Sequence, residues 1–216
     1  MSVGAEKIAV TVAEVVEVNE LIKRFRFVRR DGGQMPPFSG GAHTVVEMDD
    51  NGTRRLNPYS LMGEPEDRTS YSISVRRDDG GRGGSLYMHR HVKPGMQMLI
   101  SSPVNLFPLD LRAKKHLLIA GGIGITPFVS FLEEVRTSGV CPFERMHVYW
   151  LERDEVSFGR FMPLLEELEG TLGGKLSVEL IVRPPAMPGA SNTAGTASPI
   201  GRLVSVRDYY AQKTQI

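Results

Sequence analysis

The stretch HLLIAGGIGITPFVSFLEEVRT, from His116 to Thr137, decides how the second half of this chain folds. Its first five residues form a short apolar run that is typical of a buried strand, and a pair of glycines ends that run. From Thr126 onward the apolar residues recur at helical spacing, with Pro127 in the first turn, where proline is favoured. The stretch therefore predicts a strand, a glycine-rich turn and a helix.

The residues that follow repeat this alternation. Met146 to Leu151 predicts a second buried strand, Arg160 to Glu169 a second helix, and Leu176 to Val182 a third strand. An alternation of strand and helix predicts a parallel sheet with right-handed crossovers. Residues 183–199 are rich in Pro, Gly, Ser and Thr, and we expect them to form a flexible loop or linker.

The first half has a different pattern, with short β-rich segments bounded by Gly, Pro or Asp-Gly. The segments are Lys7 to Val18, Arg24 to Arg30, Ala42 to Met48, Thr69 to Arg77 and Met96 to Ser101, with a further presumed strand around Tyr59. Short strands at this spacing favour a small antiparallel barrel. Gly83 to Val92 is the one plausible helix among them. We therefore predict two domains, residues 1–111 and 112–216.

Composition excludes several classes of protein. The formal charge is +1, so no global field favours nucleic acid or anionic lipid. No apolar run approaches the roughly 18 residues of a membrane span, and the start MSVGAEKIAV does not resemble a signal peptide, so we expect a cytoplasmic protein. The single cysteine, Cys141, excludes an intrachain disulfide or a four-cysteine iron–sulfur cluster in these residues. The histidines are scattered, so no metal site is expected.

Three short motifs are candidates for ligand binding. Gly121 to Pro127 lies at the strand-to-helix turn, where free amides and the helix dipole suit a pyrophosphate, although a turn made tight for packing would look the same. Gly80 to Ser85 offers amides, a guanidinium and a hydroxyl to a phosphate, or else is a solvated hairpin. Asn57 to Leu61 places an aromatic ring beside a hydroxyl, and this pair could bind a planar ring. Alternatively, Tyr59 is simply a half-buried tyrosine on a strand.

Taken in order, these residues resemble the ferredoxin–NADP reductase family, most closely its phthalate dioxygenase reductase branch. The resemblance runs from about Ala5 to Val182 and rests on AHTVVEM, NPYSLMG, YSISVRRDDGGRGGSLYMHRHVKPGMQMLISSPVNLFPLD and HLLIAGGIGITPFVSFLEEV. It implies a six-stranded antiparallel flavin-binding barrel, then a parallel-sheet nicotinamide-binding domain. It also implies a ligand cleft between them at the carboxyl ends of the parallel strands.

The resemblance assigns a role to each candidate residue. Tyr59 would lie against the isoalloxazine ring, Ser60 would bond near its N5, and Thr126 would touch both flavin and nicotinamide, which makes these three the candidate catalytic residues. The polar edge of the ring would be lined by Ser74, Val75 and Arg76. The flavin phosphate would be held by Arg82, Gly83, Gly84 and Ser85. Nicotinamide and pyrophosphate would be bound by Gly121, Gly122, Gly124 and Thr126. Arg153 would meet the adenosine ribose or its phosphate.

Two departures from the family pattern stand out. Asn57 occupies the place where the flavin motif usually has arginine, so Arg54, Arg55 or Arg82 would have to replace that cation. The family's nicotinamide domain also ends with a strand and a Cys-Gly-Pro turn that nothing in this sequence matches, so we expect a truncated parallel sheet with an open edge.

The resemblance implies hydride transfer from nicotinamide C4 to flavin N5. We expect FMN rather than FAD, because the Arg82 to Ser85 turn suits a terminal phosphate, and NADH rather than NADPH as donor. Because a ferredoxin segment is not found in these residues, we expect a separate acceptor subunit, an iron–sulfur or haem oxygenase component, in a hetero-oligomer. Part of the contact would involve residues 183–199 and the tail 208–216.

Two other functions remain open at this point. One is a stand-alone NAD(P)H:flavin reductase that gives electrons to free flavin. The other is a non-catalytic flavin-binding subunit whose second domain serves only for docking.

Overall fold

A computed structural model describes residues 6–152, 162–182 and 202–205. The chain divides into two compact units. The first unit is formed by residues 1–110 and 126–140, and the second unit by residues 111–125 and 141–216. The domain division predicted at Leu111 remains a prediction.

The first unit is built on a six-stranded antiparallel sheet. Its elements are β1 (Lys7–Asn19), β2 (Ile22–Arg29), β3 (His43–Asp50), β4 (Thr53–Ser60), β5 (Tyr71–Arg76), α1 (Gly84–His91) and β6 (Gln97–Ser101). The strand order is β4-β3-β6-β1-β2-β5, and a single bridge between Met62 and Ser72 joins the segment after β4 to β5. The predicted six-stranded antiparallel architecture is confirmed.

Alternation of apolar and polar side chains explains these strands. In β1 the side chains of Ile8, Val10 and Val12 are buried while their neighbours reach the surface, the period of a half-buried strand. The hairpin between β3 and β4 turns at Asn51 and Gly52, which both have positive φ, as a two-residue hairpin turn requires.

The second unit contains a four-stranded mixed sheet. Its elements are β7 (Lys115–Gly121), a 3-10 turn (Gly122–Ile125), β8 (Arg145–Glu152), α3 (Met162–Leu172), a second 3-10 turn (Gly173–Lys175), β9 (Leu176–Val182) and β10 (Arg202–Ser205). The order is β10-β9-β8-β7, with β7, β8 and β9 parallel, as predicted.

The strand β10 was not predicted, and it pairs antiparallel with β9. The sequence predicts an open β9 edge, but Arg202 to Ser205 occupy that edge in register with Glu179 to Val182. Main-chain pairing needs no long apolar run, so a four-residue strand has no clear signal in the sequence. Among the described residues, the two edge strands of this sheet are β10 and β7.

The helix α2 (Thr126–Ser138) follows the turn of the second unit in sequence but packs within the first unit. The Gly40 N–H donates to Glu134 Oε2 at 3.0 Å, and the Gly41 N–H donates to Ser130 Oγ at 2.8 Å. A β-carbon at Gly41, where φ is +86°, would lie 2.3 Å from the carbonyl oxygen of Phe107. The glycine pair therefore lets a barrel loop lie directly against α2.

Two features are absent from residues 6–152, 162–182 and 202–205. No helix there has both the length and the apolar character needed to cross a membrane. Within the same ranges no group of three or more His, Cys, Asp or Glu residues is arranged to hold a metal ion.

Candidate functional site

One face of β4 presents three polar side chains of the candidate site. Arg55, Asn57 and Tyr59 alternate along the strand, so they project to the same side of the sheet, and each is half-buried. Arg54 and Leu56 project to the opposite side and are exposed. The alternation thus places Arg55 on the face of Asn57 and Tyr59, and Arg54 on the other face.

The glycine turn before α1 lies against this face. Gly83 has φ +91°, and a β-carbon there would lie 3.0 Å from the guanidinium carbon of Arg55. At Gly84 a β-carbon would lie 2.3 Å from Asn57 Oδ1. Only glycine permits such close approach, so the turn and the strand meet because both positions lack a side chain. The structure thereby brings together the predicted residues Asn57, Gly83 and Gly84.

Arg55 supplies the cation at this turn. Its Nε donates to Asp50 Oδ2 at 2.9 Å, and its Nη1 donates to the carbonyl oxygen of Arg82. Arg54 instead forms an ion pair with Glu47 at 2.8 Å, and Arg82 is exposed. Of the three arginines named as replacements for the missing motif arginine, Arg55 is the one that the strand holds at the turn.

The loop between β5 and α1 is closed by its own polar groups. The Asp78 N–H donates to Ser85 Oγ at 3.0 Å, and the Gly80 N–H donates to Asp78 Oδ1 at 3.1 Å. Because the Ser85 oxygen accepts in the first bond, the hydroxyl proton remains able to donate to a ligand. Main-chain amides of the helix start, a hydroxyl and a guanidinium form a donor set suited to a phosphate.

Tyr59 carries a buried hydroxyl with no partner in the described part of the chain. Burial raises the pKa of Tyr59 to about 12, so the phenol stays protonated at neutral pH. Its ring packs against the core of the first unit. A buried donor without an acceptor costs free energy, and a polar planar ligand lying on this ring would satisfy it. The residues present therefore fit a flavin.

Ser74, Val75 and Arg76, which are predicted to line the polar edge of the flavin ring, fall into two groups. The Met62 N–H donates to the Ser72 carbonyl at 2.9 Å, on the edge of β5 away from β2. By strand alternation the main chain of Ser74 and of Arg76 faces that same edge. Val75 instead pairs with β2, and its side chain is buried in the core. Ser74 and Arg76 are thus the better candidates for a ring edge.

The predicted strand-to-helix turn of the second unit is present. β7 ends at Gly121, the 3-10 turn follows, and Gly122 adopts a positive φ of +54°. The indole Nε1–H of Trp150 donates to the Gly122 carbonyl at 3.0 Å and fixes the turn to β8. In the described part of the chain, no atom of a residue that is distant in sequence lies within 4 Å of the β-carbon position at Gly121 or Gly124, so a ligand could approach there.

Some predicted positions receive no test. Thr126 begins α2 and is buried, and Ser60 ends β4 on the face opposite Tyr59, so their proposed contacts with cofactors stay predictions. Arg153, residues 183–199 and the tail 208–216 lie outside the described residues.

Sequence reasoning did not single out two residues that shape the site. Asp50 anchors Arg55, and His89 Nε2 lies 2.9 Å from the Val75 carbonyl oxygen. The period of two along β4 could have identified Arg55 as the cation beside Asn57. The contact of His89 joins a helix to a strand and has no sequence signal.

Comparison with known proteins gives a consistent set of relatives. Residues 114–182 match the family described as "Ferric reductase NAD binding domain". Among solved structures, phthalate dioxygenase reductase aligns with a TM-score of 0.71 and 32% identity over 86% of this chain and 55% of that one. That protein is described as a modular structure for electron transfer from pyridine nucleotides to [2Fe-2S].

Two relatives of known function are subunits of oxidative enzyme systems. The carnitine monooxygenase reductase subunit of Escherichia coli K12 is 47% identical over 131 residues, which are 61% of this chain and 41% of that protein. The heme-dependent oxidative N-demethylase beta subunit of Ectopseudomonas mendocina is 41% identical over 167 residues, 77% of this chain and 50% of that protein. The chain thus spans about half the length of the curated relatives that it matches.

Proposed function

Because this chain belongs to the ferredoxin–NADP reductase superfamily, in its phthalate dioxygenase reductase-like branch, we propose that it is the reductase component of an oxygenase system. In this proposal electrons pass from NAD(P)H through bound FMN to a separate iron–sulfur or haem subunit. The fold supports binding of a flavin and of NAD(H). The choices of FMN, of NADH and of the acceptor belong to the proposal.

The observation that carries the proposal is the arrangement on β4. Tyr59 presents a buried hydroxyl without a partner in the described part of the chain, while Arg55 and Asn57, on the same face, meet the Gly83–Gly84 turn. In this proposal, the residues for the ring and those for the phosphate lie on one strand face, two to four residues apart. A core tyrosine with no ligand role would be expected to have a hydrogen-bond partner.

The residues of this chain bind and orient, and need not transfer protons. When bound, a flavin supplies the ability to accept a hydride and to release electrons singly. Tyr59 would cover one face of the ring, and Ser74 and Arg76 would offer main-chain groups to its polar edge. Arg55, Gly83, Gly84 and Ser85 would hold a phosphate monoester, which favours FMN over FAD.

The nicotinamide donor would bind at the turn that follows β7. The open space at Gly121 and Gly124 supports close approach of a pyrophosphate, and Gly122 is held by Trp150. Glu152, buried at the end of β8, could accept from ribose hydroxyls, and Arg153 is the one cation that the sequence offers beside it. An acid that can accept from ribose hydroxyls, beside a single cation, favours NADH over NADPH.

The partner in this proposal is an oxygenase component on another polypeptide, in a hetero-oligomer. The relatives named above are called reductase or beta subunits, which supports a division of labour between chains. The proposal keeps the cytoplasmic location and the two-domain division, residues 1–111 and 112–216, that the sequence predicts. It involves no nucleic acid.

Anaerobic mixing of the FMN-loaded chain with NADH tests the function. Bleaching of the flavin absorption, faster with NADH than with NADPH, is the expected result. A flavin that stays oxidised with both donors would favour a non-catalytic docking subunit. Loss of flavin during gel filtration, together with reduction of added free flavin, would favour a stand-alone flavin reductase.

Paired arginine variants test the phosphate site. Arg55→Ala should weaken FMN binding at least about tenfold, because a charge-assisted hydrogen bond contributes about 1.5–3 kcal/mol. Riboflavin, which has no phosphate, should bind equally well before and after the change. Arg54→Ala, on the opposite strand face, is the matched control and should leave both affinities unchanged.

Arg82→Ala combined with Ser85→Ala should also weaken FMN binding at least about tenfold, because both side chains would contact the same phosphate. Tight binding of FAD would contradict the choice of FMN.

A further inference from the structure

Two contacts tie α1 to β5 and to the loop that follows β5. Ser85 and His89 are four residues apart, so they lie on one face of the helix. Ser85 Oγ accepts the N–H of Asp78 at 3.0 Å, and His89 Nε2 lies 2.9 Å from the carbonyl oxygen of Val75. The same helix face therefore contacts both β5 and the loop that follows it.

The contact with Val75 determines which ring nitrogen of His89 carries hydrogen. A carbonyl oxygen can only accept, so Nε2 must be the donor. Burial lowers the pKa of His89 and favours the neutral ring. The charged groups around it are Lys23 of β2, whose Nζ donates to the His89 carbonyl at 3.3 Å, and Arg77 and Asp79 of the loop.

The hydrogen bond also orients the next amide along the strand. The carbonyl of Val75 and the N–H of Arg76 belong to one rigid trans peptide and point in opposite directions. Because the Val75 carbonyl is held on the side of β2 and α1, the Arg76 N–H is directed to the other edge of β5. That is the edge toward which the main chain of Ser74 also faces.

We propose that His89 is a positioning residue for the flavin, which acts by holding the Val75 carbonyl so that the Arg76 N–H faces the polar edge of the ring. Ser85, on the same face of α1, stands at the phosphate. A single helix face thus sets the spacing between the groups that bind the two ends of the cofactor. The inference rests on the proposed flavin function and extends it to a residue that would not touch the flavin.

Substitutions of His89 test this role against a merely structural one. His89→Ala should weaken FMN binding about fivefold, the ratio that corresponds to ~1 kcal/mol, and should shift the visible absorption bands of the bound flavin. His89→Gln retains an N–H donor and should restore both the affinity and the spectrum. His91→Gln is the matched control, because His91 is exposed on the same helix and packs only against the Tyr87 ring among the described contacts. It should change neither.

The outcomes separate this inference from the proposed function. An unchanged FMN affinity and spectrum in His89→Ala, or a folded His89→Gln that fails to restore them, would overturn the role of His89 while flavin binding stood. A wild-type chain that binds no flavin would overturn the proposed function itself.

A measurement without variants uses nuclear magnetic resonance of the wild-type chain. It should find the His89 ring protonated at Nε2 and the Arg76 amide shifted by FMN, and the opposite tautomer or an unmoved Arg76 amide would contradict the proposal.

Discussion

The buried hydroxyl of Tyr59 predicts that one side chain is unfavourable for the flavin-free protein and favourable for the proposed flavin complex. Its hydroxyl is buried, with no partner in the described residues. Tyr59→Phe removes that unsatisfied group, so the flavin-free variant should be more stable by about 1 kcal/mol. FMN binding should weaken in the same variant. Urea unfolding and flavin fluorescence measure the two effects, and a loss of stability in the flavin-free variant would contradict this assignment.

The lowered pKa of His89 predicts that the stability of the first unit depends on pH. Burial is the main cause of its lowered pKa, opposed by its hydrogen bond to Val75, while Lys23 and Arg77 lower the pKa further and Asp79 raises it. The unfolded chain has a histidine pKa of about 6.5, so it binds more protons than the folded chain just below that pH. We therefore expect the contribution of His89 to stability to be fully present above about pH 6.5 and to be lost as the pH falls through the folded pKa.

Unfolding of His89→Gln across this pH range checks the argument. The variant should lose the part of the decline that lies just below pH 6.5, whereas His91→Gln should retain it. Equal pH profiles for the wild-type chain and His89→Gln would show that His89 does not titrate with a lowered pKa.

At the scale of elements, the packing of the barrel loop on α2 depends on glycine. Gly41→Ala adds a methyl group 2.3 Å from the Phe107 carbonyl oxygen and 2.5 Å from Phe131, at a positive φ. We expect it to lower the free energy of unfolding by about 3 kcal/mol, from ~1 for the backbone and ~1–3 for overpacking. Gly52→Ala is the matched control, with φ +84° and open space, and should cost only ~1 kcal/mol. Equal losses in denaturant unfolding would contradict the steric argument.

Most elements could be predicted because each has a local signal. The strands of the first unit alternate in polarity, and β7 and α2 are joined by a glycine turn, so their positions follow from residue order alone. What escaped prediction depends on contacts between distant residues. β10 exists because Arg202 to Ser205 find the β9 edge, and α2 packs with the first unit because Gly40 and Gly41 lack side chains. The candidate site divides similarly, since its glycines were predictable but the contact of His89 with Val75 was not.

At the scale of the whole molecule, one face of β7 leaves two large apolar side chains exposed. Leu117 and Ile119 are 62% and 63% exposed on this strand, one of the two edge strands of the second sheet among the described residues. Parallel strands are normally covered on both faces, so this surface should promote association. Leu117→Lys with Ile119→Lys should shift the chain toward monomer in light scattering, without changing FMN affinity.

A surface leucine of the first unit provides the control for that experiment. Leu99 is 39% exposed on β6, and Leu99→Lys should leave the association state unchanged. If all of these variants remain associated to the same degree, the β7 face is not the cause. Stronger binding of an oxygenase component by the wild-type face than by the double variant would identify the face as part of the partner contact.

The hydrogen bond of Trp150 to Gly122 gives this protein an optical probe of its own. Trp150 is the single tryptophan of the chain, and its indole is buried against the turn proposed to meet the nicotinamide donor. Reduced nicotinamide absorbs where tryptophan emits, so NADH bound there should quench the emission by energy transfer, even in the flavin-free protein. Trp150→Phe supplies the dark control, and unchanged emission with NADH would place the donor elsewhere. Binding of NADH at the turn could then be followed in real time by tryptophan emission, separately from flavin fluorescence.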